Sequence, residues 1–193
     1  VLGYVDTERF TYGELFNEIN ASTGGIQCGV EVFEKAASTG EFQAMFSIRG
    51  KALYQKLEFL FDMMEEILNT SKVEDTRRLY EIIAQVKSRA QANLVSAGHS
   101  TAVLRGASYD SPMAYFQDQM SGIGYYQFIE AAEREFEEKK DQIVGNLKRL
   151  LREILSKDSF CISYTGEKES LSKVQQLSSK LKNCMKGEGC KGE

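Results

Sequence analysis

The chain has 193 residues, enough for one sizeable domain with its own core. Hydrophobic residues make up 42% and charged residues 27%, and a formal net charge of -4 leaves no overall basic field to hold nucleic acid or anionic lipid. No apolar run approaches the length that spans a bilayer, and no basic stretch followed by an apolar one opens the chain as a signal peptide would.

The chain opens on Val1, and Leu2-Gly3-Tyr4-Val5-Asp6-Thr7 reads as a helix end and the turn after it, so the sequence is expected to be a piece of something longer. Phe10-Thr11-Tyr12-Gly13-Glu14-Leu15 predicts a helix start. Thr11 caps, Glu14 completes a capping box, and Phe10 and Leu15 sit where a hydrophobic staple packs. This helix should reach about Ser22 with Leu15, Phe16 and Ile19 inward, ended by Gly24-Gly25. The period then changes to two. Ile26, Cys28, Val30 and Val32 alternate with polar neighbours or glycine, as do Phe42, Ala44, Phe46 and Ile48 with theirs, apart from Met45. The pattern predicts two antiparallel strands with one buried face, joined by a loop over 35–41.

From Gly50 the period returns to 3.6, with Leu53, Leu57, Leu60, Phe61, Met64, Ile67 and Leu68 in one stripe. Ser71-Lys72-Val73-Glu74 reads as a second capping box, opening a helix with Leu79, Ile82, Ile83, Val86, Ala90 and Leu94 inward and running past Gly98-His99 toward Tyr109. Asp110-Ser111-Pro112 is a turn, and Ser121-Gly122-Ile123-Gly124 a flexible point. A charged helix from about Glu137 turns Ile143, Leu147, Leu150, Leu151 and Ile154 to one face. Phe160-Cys161-Ile162-Ser163-Tyr164 reads as a short strand, before a last helix carrying Leu171, Val174, Leu177 and Leu181.

This order predicts the α+β class: an antiparallel sheet with helices packed on one face. Residues 1–185 are expected to form a single domain and 186–193, nearly devoid of apolar residues, a flexible tail or linker. Three strands make a thin sheet for so many helices, which places missing strands upstream of Val1.

Candidate chemistry is sparse. The single histidine excludes any metal motif that needs two His ligands. Cys28, Cys161, Cys184 and Cys190 form no C-x-x-C pair and read as reduced thiols rather than two disulfides. His99 beside Ser100 suggests a base and a nucleophile, but adjacent residues rarely address one substrate atom, and a structural His is favoured. Gly24-Gly25 and Gly122-Ile123-Gly124 match no phosphate-loop pattern and read as turns. The charged run Glu130 to Asp141 reads as ion pairs on a solvated helix rather than a carboxylate metal site. Tyr125, Tyr126 and Phe128 have no interleaved basic patch and read as packing residues rather than a base-stacking platform. No catalytic, cofactor-binding or metal-ligating residue is assigned.

A resemblance supplies what spacing does not. Leu2-Gly3-Tyr4-Val5-Asp6-Thr7, Tyr12-Gly13-Glu14-Leu15, Asn17-Glu18-Ile19, Thr23-Gly24-Gly25-Ile26, Gly50-Lys51-Ala52-Leu53, Ser96-Ala97-Gly98-His99-Ser100, Ser121-Gly122-Ile123-Gly124 and Ser163-Tyr164-Thr165-Gly166 stand in an order that resembles the insulinase-type (pitrilysin-like) zinc peptidases, presequence-protease branch. The likeness runs from Val1 to about Cys184 and rests on order and spacing, not on one motif.

The resemblance implies four α+β units in two halves that close around an unfolded peptide. It implies an inverted H-x-x-E-H zinc motif, with a further Glu as third ligand, in the first unit. This chain is similar to the third unit, which opens the C-terminal, non-catalytic half. With one His it holds no such motif, so zinc belongs to the parent protein and none to this fragment. Implied partners are the other units of the same chain and an unfolded peptide, with no nucleic acid or membrane. The implied compartment is intracellular, bacterial cytoplasm or an organelle. The alternatives are a structural domain of an inactive relative, or an unrelated helical adaptor.

Overall fold

The computed structural model describes residues 1–34, 41–158, 160–185 and 187. The chain is α+β, with a two-stranded antiparallel hairpin and a majority of helix. It divides into two compact units, one of Val1–Gly29, Ile48–Asp75 and Gln142–Glu193, the other of Val30–Ser47 and Thr76–Asp141. The hairpin strands β1 (Ile26–Glu34) and β2 (Phe42–Gly50) pass from one unit into the other, as does helix α7 (Phe136–Ile154). The expected loop 35–41 lies outside the described residues except for Glu41, and the expected tail except for Gly187, whose N–H donates to the Leu155 carbonyl at 2.9 Å.

The first unit is built on α1 (Tyr12–Ser22), α2 (Leu57–Thr70) and α8 (Leu171–Cys184), with α2 packing against both of the others. The capping box at α1 is present: the Glu14 N–H donates to Thr11 Oγ1 at 3.3 Å and the Thr11 N–H to Glu14 Oε2 at 2.9 Å. Leu15, Ile19, Met63 and Ile67 form a buried cluster, and Leu2, Phe10, Ile26, Cys28 and Phe59 pack on it. Each fully buried side chain of this kind contributes about 1.5–3 kcal/mol. Phe16, expected inward, is 62% exposed, because Leu15 and Ile19 already fill the α1 face that meets α2. Leu53 is exposed as well: it precedes a 3₁₀ turn (Tyr54–Lys56) and so falls off the α2 stripe.

The expected capping box at Ser71 does not form. The Ser71 hydroxyl donates to the Ile67 carbonyl at 2.7 Å, closing the end of α2, and the next helix starts later, at Thr76. The expected strand 160–164 has no strand assignment.

The second unit is helical apart from its share of the hairpin. Helix α3 (Thr76–Ser96) buries Leu79, Ile82 and Ile83 and packs against α6 (Ile123–Arg134). Helix α4 (Gly98–Ala107) is separate from α3, broken at Ala97, and buries none of its residues. Helix α5 (Pro112–Ser121) opens with Ser111 as cap, whose Oγ accepts from the Ala114 N–H at 3.3 Å, and Pro112 at the first position. Phe136 is buried against the Tyr80 ring, with centroids 5.3 Å apart.

Candidate functional site

His99 is the second residue of α4 and is exposed, as is Ser100. Among the described residues no group of three or more His, Cys, Asp or Glu side chains is placed to hold a metal ion. Cys28, Cys161 and Cys184 are free thiols, and burial pushes Cys28 up to about 11, which keeps it protonated near neutral pH. Cys190 lies outside the described residues.

The glycine motifs are turns. Gly25 has a φ of 101°, and the Gly24 N–H donates to the Lys51 carbonyl at 2.7 Å. At Gly122-Ile123-Gly124 the N-terminus of α6 does meet an anion, supplied by the chain itself. Asp118, on α5 and 0% exposed, accepts from the Ile123 N–H at 3.1 Å and the Gly124 N–H at 3.1 Å. Arg105, on α4, completes the cluster with Nη1 at 2.7 Å from Asp118 Oδ2. A methyl group on Gly122 would sit 2.3 Å from Asp118 Oδ1, so the corner accepts only glycine without a shift.

The charged run 130–141 is not one solvated helix. α6 ends at Arg134 and α7 starts at buried Phe136, with Glu135 between them. Lys139 and Arg134 bond the Glu135 carboxylate and hold it down to about 2. Glu133 pairs not along its own helix but with Lys87 of α3, and the Tyr126 hydroxyl donates to Glu130 at 2.8 Å. The aromatic trio separates: Tyr125 and Tyr126 are half-buried, while Phe128 is 66% exposed because Ile129 takes the inward position.

A second buried acid lies in the first unit, again unforeseen in the sequence. Glu66 of α2 accepts from the Arg9 N–H at 3.0 Å and from Arg9 Nε at 2.7 Å, and Arg9 Nη2 also reaches Asp62 at 3.0 Å. Burial pushes Glu66 up, but hydrogen bonds from the Arg9 amide, Thr7, the Arg9 side chain and Thr70 outweigh it and hold the carboxyl down to about 2. This cluster fastens the non-helical opening segment to α2, helped by the Lys72 N–H donating to the Asp6 carbonyl at 2.8 Å. No pattern of short spacing announces it.

Both clusters are fasteners rather than reaction centres: each carboxylate is saturated by donors of its own chain. What remains outward is aromatic. Tyr12 and Phe16 stand one turn apart on the open face of α1, and Leu53 and Tyr54 precede α2. In the second unit Tyr109 and Tyr115 are exposed. No residue of β1 or β2 is fully buried. Among the described residues no helix is long and apolar enough to cross a membrane.

An α+β domain whose buried acids fasten helices and whose aromatic residues face outward has the chemistry of packing and enclosing. The model of the peptidase-associated family, subfamily C of the insulinase-type (pitrilysin-like) peptidases, matches residues 1–131, and the chain belongs to it: the non-catalytic, C-terminal region of those peptidases. The chain is 33% identical over 187 residues to Protein HypA of Clostridium perfringens, covering 95% of this chain and 19% of that protein. It is 27% identical over 158 residues to the mitochondrial presequence protease of Yarrowia lipolytica, covering 81% of this chain and 16% of that protein. Presequence protease 1, chloroplastic/mitochondrial, of Arabidopsis thaliana is 24% identical over 175 residues, covering 91% and 16%. The chain therefore spans less than a fifth of the length of these curated relatives.

Proposed function

We propose that the parent protein is a zinc-dependent metalloendopeptidase of the presequence-protease kind, that it degrades unfolded peptides in a closed chamber, and that this domain, its third α+β unit, forms part of the chamber wall. The observation that carries the reading is the family match over residues 1–131, on a domain whose hairpin has no fully buried residue and so offers surface for other units of the same chain. As a wall the domain excludes water and folded proteins and limits entry by size, and closure completes a site contributed elsewhere.

This chain's own donors do not fit zinc. Its one histidine is exposed on α4, with no His, Cys, Asp or Glu group assembled around a common point among the described residues. The metal is assigned to another unit, and no catalytic, cofactor or metal residue is assigned here. The relatives' printed names place the Yarrowia protein in mitochondria and the Arabidopsis protein in chloroplasts or mitochondria, so an organelle, or the cytoplasm of a bacterium, is the compartment proposed for the parent.

The test uses the parent protein purified from its source, with intact mass, zinc per chain and hydrolysis of an unfolded peptide measured together. A chain several times longer than this one, with bound zinc and chelator-sensitive hydrolysis, is the expected result. A long chain without zinc or hydrolysis replaces the proposal with a structural domain of an inactive relative. A chain of about the present size overturns the wall altogether.

A further inference from the structure

We draw no further inference here: the strongest candidate, the open aromatic groove that Phe42, Tyr109, Pro112, Tyr115 and Phe116 line in the helical unit, carries nothing because nothing in the structure shows what covers it.

Discussion

Glu66 and Asp118 do the same chemical work in two different units, by routes of different length along the chain. Their side chains are 6% and 0% exposed, and each would be costly to bury without donors. Glu66 finds Arg9 across 57 residues of sequence. Asp118 finds Arg105 across 13 residues and the α6 amides across 5 and 6. The first fastener fixes where a non-helical segment lies against a helix. The second fixes the corner between two consecutive helices. A buried carboxylate is thus tolerated wherever enough donors converge, whether the sequence brings them locally or the fold brings them from afar.

The largest test of the comparison is Asp118→Ala. It leaves Arg105 unpaired and two α6 amides without an acceptor, and should cost about 3 kcal/mol or more. Native-state hydrogen exchange of α5 and α6 amides reads it, and unchanged protection would show that the corner holds without its acid. Glu66→Gln should cost about 2–3 kcal/mol at neutral pH, following from a carboxyl held at about 2 against its ordinary 4.5. Because the folded-state value is depressed, this contribution is full above pH 4.5 and is lost as pH falls toward 2. Denaturant titrations at pH 7, 4 and 2.5 should therefore show the gap between native and variant chains closing on acidification. A gap that stays constant with pH would assign the cost to packing instead.

Gly122→Ala sharpens the local half of the comparison. The added methyl meets Asp118 Oδ1 at 2.3 Å, and about 2 kcal/mol of overpacking is expected. Combined with Asp118→Ala it should cost less than the two changes summed, and strict additivity would disprove the contact. Gly29→Ala, where nothing lies within 4 Å of the new methyl, is the control and should stay within about 0.5 kcal/mol. Smallest is Thr11→Ala, which removes a surface cap for about 1 kcal/mol, measured as a shift in thermal midpoint.

Legibility followed the range of the interaction. The α1 capping box, the two strands, the Ser111-Pro112 start of α5 and the break at Gly122 are signals within a few residues, and each appears in the structure. The Ser71 box has the right letters, but its hydroxyl is claimed by the preceding turn of α2, a competition that spacing does not reveal. Residues 160–164 have the composition of a strand yet no strand pairing, and composition alone makes no ladder. Phe16 faces outward against expectation because α1 carries apolar residues on more than one face and only tertiary packing decides which turns in. The two acid clusters escape notice for opposite reasons. Glu66 depends on a partner far along the chain, and Asp118 looks like one more polar residue on a helix. The family itself was legible, because a run of weak motifs in fixed order is a stronger signal than any one of them.

The division of the chain has a consequence for its synthesis. The helical unit occupies two stretches, 30–47 and 76–141, that lie between the pieces of the other unit. During translation it is therefore complete before α8, which packs on α2, has been made. The first unit must wait, with part of the cover of α2 still missing, while about a hundred residues between α2 and α8 emerge. The order of emergence, rather than final stability, then sets which half of the molecule is exposed to aggregation and for how long.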